Sequence, residues 1–323
     1  MLETRLTELL GIDHPVISAP MAFAAGGRLA SAVTQAGGLG LIGGAYGDRE
    51  WINAQFLEAG NTKVGCGFIT WNLQQALKRD TDLLYEVLER KPEALFLSFG
   101  DPSDLARPIL ESGTKLICQV QTLKDAKRAA DCGAHIIVAQ GAEAGGHGES
   151  RATMTLVPEV ADYLSKHFSE IVLCAAGGVA DGRGLAASLM LGAEGVVIGS
   201  RLWASEEALV HPNMIGAAVK ATGDDTVRSS VMDIARKLDW PERYTARVLK
   251  NAFTERWHGD VAGLLAQADE QAALWREAWL QGDMTTANTF VGEATGLIDG
   301  VEPAGTIIQS MIEDAQDRLR AFT

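Results

Sequence analysis

The chain has 323 residues, 47% of them apolar, and a formal net charge of −14. A large core is within its reach, and with no basic stripe against that acidic balance neither nucleic acid nor an anionic membrane is an expected partner. The charged opening Met1-Leu2-Glu3-Thr4-Arg5-Leu6-Thr7-Glu8 is unlike a secretory signal, and no run approaches 18 apolar residues, so a soluble cytoplasmic protein is expected. Cys66, Cys118, Cys132 and Cys174 lack C-x-x-C spacing and read as reduced structural thiols rather than a metal site.

In chain order, residues 15–21 predict a first strand that ends at Pro20-Met21. A small-residue helix follows, closed by Gly37-Gly38, and then a second strand over 39–42. Six further short apolar runs recur at 64–69, 94–98, 115–119, 135–139, 171–176 and 195–198, each separated from the next by room for a helix. Strands that are almost continuously apolar and alternate with helices imply a parallel sheet covered on both faces. Eight of them predict a (β/α)8 TIM barrel, with the ligand site at the C-terminal strand ends. Met21, Gly43, Thr70, Gln119, His147, Gly177 and Ser200 are expected to converge there. After about Glu206 the strand rhythm stops, and 219–221, 231–238, 244–253 and 261–280 carry helix-spaced apolar residues. The expected organisation is a barrel over 1–208, a mainly helical insert over 209–290 and a segment over 291–323, with a helix at 304–320 returning to the barrel. Trp240, Trp257, Trp275 and Trp279 of the insert are expected to fill its core.

The run 135–139 leads into Gln140-Gly141-Ala142-Glu143-Ala144-Gly145-Gly146-His147-Gly148-Glu149. Gly145, Gly146 and Gly148 let backbone lie flat against a ligand and take positive φ, and a histidine there is placed to act as base or charge partner. A glycine-rich turn with a surface histidine would look the same. Glu143 is expected to orient the loop through backbone N–H groups. One strand later Ala176-Gly177-Gly178-Val179-Ala180-Asp181-Gly182-Arg183-Gly184 appears, and the eighth strand ends in Gly199-Ser200-Arg201. Loops after strands seven and eight are where such barrels hold phosphate. Gly177, Gly178 and Gly199 would admit it, Ser200 would donate to it, and Asp181 would cap the next helix. A phosphate there suits FMN, with Pro20, Met21 and Ala22 backing its ring and Gln119 at its pyrimidine edge, although Gln119 could equally be a satisfied polar residue of the barrel layer. The absence of G-x-G-x-x-G after the first strand argues against a Rossmann site.

These loops, with Ala19-Pro20-Met21, Gly67-Phe68-Ile69-Thr70-Trp71, Trp240-Pro241, Arg247, Asn251 and Gly296-Leu297-Ile298, resemble the nitronate monooxygenase family, formerly called 2-nitropropane dioxygenases. The resemblance implies an FMN barrel with a helical insert that oxidises alkyl nitronates with O2 to a carbonyl compound and nitrite. Carried over residue by residue, it puts the catalytic histidine at His147. Phosphate contacts fall at Gly177, Gly178, Val179, Gly199 and Ser200, loop contacts at Gly145 and Gly146, and further flavin contacts at Gly43 and Thr70. The implied partners are a small nitronate substrate and O2, and a homo-oligomer is compatible with the sequence. Gln119 stands where some members have lysine, and Thr70 where some have asparagine. An FMN-dependent NAD(P)H oxidoreductase acting on enoyl thioesters or quinones resembles the same loops.

Overall fold

The computed structural model describes residues 2–321. Its strands are β1 (Val16–Ser18), β2 (Leu41–Gly43), β3 (Gly65–Ile69), β4 (Ala94–Ser98), β5 (Lys115–Val120), β6 (Ile136–Gln140), β7 (Gly146–Gly148), β8 (Val172–Ala176), β9 (Gly195–Ile198), β10 (Thr226–Ser229) and β11 (Thr245–Leu249). Eight form one parallel sheet in the order β1-β9-β8-β6-β5-β4-β3-β2. A parallel bridge from Ile17 to Leu39, just ahead of β2, draws the two edges into a nearly closed barrel. The expected (β/α)8 architecture is the one the chain builds.

The strands read as unbroken apolar runs because both of their faces are covered. Alternate side chains go to different layers. On β5, Leu116, Cys118 and Val120 pack against the surrounding helices, while Ile117 belongs to the barrel interior. Gln119 shares the register of Ile117 and therefore points toward the barrel axis at the C-terminal end. Helix starts follow the capping residues: Thr122 Oγ1 accepts from Asp125 N at 3.1 Å, and Asp181 accepts from Arg183 N and Gly184 N at 2.9 and 3.2 Å. The final helix, Ala304–Arg320, packs on the helices Gly182–Met190 and Gly27–Gln35, completing the outer layer beside β9 and β1. Cys66, Cys118 and Cys174 are buried free thiols, and burial pushes Cys66 up to about 12.

The region between β9 and the final helix holds helices Pro212–Lys220, Val231–Ala235, Ala252–Trp257, Val261–Ala266 and Ala268–Gln281, but it is not wholly helical. Residues 244–253, expected to be helical, instead open with β11. The reason lies in the period: Tyr244, Ala246 and Val248 are buried while Thr245 and Arg247 are half-buried, an alternation of two that the flanking helical residues obscure. β11 pairs antiparallel with β10 on one side and with β7 on the other, setting Ala246 opposite His147. Thus the glycine-histidine loop is a strand of the insert's own sheet. Among the described residues no helix is long and apolar enough to cross a membrane.

Candidate active site

The C-terminal ends of the barrel strands surround a cavity of about 580 Å³, within the range of small-molecule sites. Pro20, Met21, Ala22, Gln119, Gly145, Gly146, His147, Gly177, Gly178, Val179, Gly199 and Ser200 all line it. Gly43 and Thr70 do not. A side chain at Gly43 would run into the Met21 backbone, and Gly43 O accepts from Trp51 Nε1 at 3.0 Å. Thr70 is 1% exposed at the start of helix Thr70–Ala76, packed against Gly100. Both support the wall from behind. Backbone strain also collects here. Phe23, Ala45 and Phe99, non-glycine residues at φ 59°, 47° and 62°, all line the cavity. Each such conformation costs about 1–2 kcal/mol, and strain of this kind gathers at functional sites.

His147 is 8% exposed. Its Nε2 lies 2.9 Å from Asp233 Oδ2 on helix Val231–Ala235, and its ring stacks on Trp240 with centroids 3.4 Å apart and planes 5° from parallel. Phe99 meets it edge-on at 6.2 Å. Burial pulls the imidazole below its ordinary value, and Asp233 opposes that pull without cancelling it, which favours the neutral ring. Nδ1 has no hydrogen-bond partner among the described residues, and His147 lines the cavity.

The loop carrying His147 is fastened by the insert. Arg228 of β10 donates to the carbonyls of Ala142, Thr245 and Ala144, and Arg247 of β11 donates to Ala142 O at 3.0 Å while pairing with Glu293 at 2.8 Å. Burial and the neighbouring Arg247 push the Arg228 guanidinium down to about 10. The loop glycines serve purposes other than those expected of all three. Positive φ is found at Gly146, +70°, whereas Gly145 is small because the Val291–Gly292 backbone lies where its Cβ would be, and Gly148 because the Arg228 guanidinium does. Asn251, one of the residues of the resemblance, caps helix Ala252–Trp257 and donates to Met284 O and Ala287 O.

After β8, Gly177 and Gly178 take φ of +100° and +77°, turning the backbone beside Gly141 and Glu143 of the histidine loop. The N–H groups of Gly178 and Val179 have no acceptor among the described residues. Ser200 Oγ accepts from Gly292 N at 2.9 Å and retains its own hydroxyl hydrogen to donate. The Glu143 carboxylate is engaged by Thr153, from N at 3.0 Å and from Oγ1 at 2.8 Å, and so ties the histidine loop to helix Thr153–His167.

The insert supplies the outer wall. Trp240, Trp275 and Trp279 line the cavity rather than only filling a core, and of the four expected core tryptophans Trp257 is the one confined to it. Arg236 reaches the same cavity, bonded to Tyr46 Oη at 3.1 Å, with its guanidinium over the rings of Tyr46, Trp275 and Phe290. Sequence reasoning missed Asp233. The available signal was a single carboxylate inside Val231-Met232-Asp233-Ile234-Ala235, since a charge on a buried face requires a partner.

The nitronate monooxygenase family pattern matches residues 3–59 and 53–314. A nitronate monooxygenase of Neurospora crassa is 35% identical over 94% of this chain and 90% of its own. An octahydroindene carboxyl-CoA dehydrogenase of Mycobacterium tuberculosis is 29% identical over 98% and 92%. FabK from Thermotoga maritima superposes with a TM-score of 0.86 at 32% identity, each chain fully covered. The barrel, the loops at its mouth and these likenesses agree: the chain is an oxidoreductase belonging to the nitronate monooxygenase family.

Proposed function

We propose that this chain oxidises alkyl nitronates with O2, using FMN, and releases a carbonyl compound and nitrite. The observation that carries the reading is a buried His147, paired with Asp233, lining the same cavity as the glycine loops that follow β8 and β9. The residues present fit FMN. Its phosphate would be held by the free N–H groups of Gly178 and Val179 and by the Ser200 hydroxyl, its ring backed by Pro20, Met21 and Ala22, and its pyrimidine edge met by the Gln119 carboxamide, which both donates and accepts. When bound, the flavin supplies the electron acceptor for the organic substrate and the route to O2. The protein holds the nitronate beside His147, keeps bulk water out with Trp240 and Phe99, and lets Nδ1 take the α-proton when a neutral nitroalkane arrives.

A second reading is a reductase or dehydrogenase of thioesters that uses NAD(P)H. The carboxyl-CoA dehydrogenase relative, which the chain matches along almost its whole length, favours it. An anaerobic absorbance titration separates the two. Bleaching of the flavin by preformed nitronate, reversed by air with nitrite release, supports nitronate oxidation. Bleaching by NADH alone, with nitronate inert, refutes it. His147→Asn should depress turnover of neutral nitroalkanes far more than that of preformed nitronates, and equal activity on both would remove His147 from the role of base.

A further inference from the structure

Resting on the reading of His147 as base, we propose that Asp233 is a positioning residue that fixes His147 in the Nε2–H tautomer and thereby leaves Nδ1 bare toward the substrate. Asp233 is 3% exposed, and its Oδ2 lies 2.9 Å from His147 Nε2. An ionised carboxylate only accepts, so the ring nitrogen facing it must carry the hydrogen. Arg236 completes the pair from the other side, its Nη1 lying 3.8 Å from Oδ1. Oδ1 otherwise has no hydrogen-bond partner among the described residues. A buried carboxylate left with one hydrogen bond is a costly arrangement for packing alone, and it is accounted for by its service to the imidazole. Trp240 against the ring face, and the pairing of β7 with β11, block rotation of the ring to the other nitrogen.

In the step this arrangement serves, the Cα–H bond of a nitroalkane breaks and its electron pair stays on the substrate as the nitronate. The proton goes to Nδ1. The resulting imidazolium then lies between the Asp233 carboxylate and the new anion, which stabilises both. Asp233 touches neither substrate nor cofactor and acts through His147.

The test is the protonation pattern of the His147 ring in ¹⁵N-histidine-labelled holoenzyme, read by long-range ¹H–¹⁵N correlation and assigned by loss of the signal in His147→Asn; the chain has 6 histidines. Wild type should show a protonated Nε2 and a bare Nδ1. In Asp233→Asn the carboxamide can donate as well as accept, so the Nδ1–H tautomer should become populated. Turnover of neutral nitroalkane should fall by about 100-fold, the scale of a positioned base, with KM and the turnover of preformed nitronate nearly unchanged. A wild-type ring with hydrogen on Nδ1 overturns the proposal, as does an Asp233→Asn enzyme with unaltered tautomer and unaltered nitroalkane turnover. The wild-type spectrum needs no variant to fold. Wild-type enzyme that shows the expected tautomer but oxidises no nitronate would instead refute the proposed reaction.

Discussion

Gly145 and Gly292 lie back to back, and replacing Gly145 by alanine tests whether that contact holds the site together. A Cβ on Gly145 would sit 2.5 Å from both Gly292 N and Val291 C, against about 3.4 Å for ordinary contact, so one backbone must move by about 0.9 Å. No flexible side chain is present there to yield. Overpacking of this kind costs about 1–3 kcal/mol. The same displacement pulls on Gly292 N to Ser200 Oγ and on Glu293 N to Glu143 O, both 2.9 Å, and losing each costs about 1 kcal/mol. Together Gly145→Ala should cost about 3–5 kcal/mol. At roughly 2 °C per kcal/mol for a chain of this size, that is a fall of about 6–10 °C in melting temperature. Because Ser200 and Glu143 both line the cavity, flavin should also be held less tightly. The control is the next residue. A Cβ on Gly146 meets nothing within 4 Å, but its φ of +70° costs alanine about 1–2 kcal/mol. Thermal melts and retained flavin absorbance after gel filtration measure both variants. If Gly145→Ala melts with or above Gly146→Ala and keeps its flavin, the backbone contact is not what holds the loop.

Acid should weaken the fold through His147. The unfolded chain takes up a proton near the ordinary value of 6.5, while the buried ring resists until a lower pH. This contribution is therefore complete above 6.5 and is lost as pH falls toward the lowered native value, at up to about 1.4 kcal/mol per pH unit. Urea midpoints at pH 7.5 and 5.5 should converge less for wild type than for His147→Asn, and parallel losses in the two proteins would refute the assignment. Asp181→Ala should cost about 1 kcal/mol by removing the cap of helix Gly182–Met190, with Asp181→Asn close to wild type. Equal melting of the three would show that the cap carries no stability.

The barrel was legible because its strands carry a local signal, apolar runs bounded by glycine and spaced by helices. The glycine loops after β8 and β9 were legible as cavity-lining segments because they stand at the strand ends where this architecture binds ligands. His147 could be singled out on the same grounds. Its surroundings could not. Asp233 is 86 residues away in sequence, and the two meet because β11 of the insert pairs with β7. That pairing was hidden in turn, since the two-residue period of 244–248 is brief and lies among helical residues. Gly43 ends β2 and Thr70 opens the helix directly after β3, but such a position does not decide which way a residue faces, and neither lines the cavity.

The tryptophans show the same limit from another side. Composition and spacing mark Trp240, Trp275 and Trp279 as large apolar residues of a helical region, which is equally true of a core and of a cavity wall. The sequence by itself determined the architecture and marked His147 and the glycine loops at the C-terminal strand ends as the candidate site, all of which follow from patterns a few residues long. Only the tertiary structure decided that His147 is buried and paired with Asp233, and that the insert forms the roof of the cavity. Those properties depend on burial and on contacts between segments far apart in the chain, which local pattern does not encode.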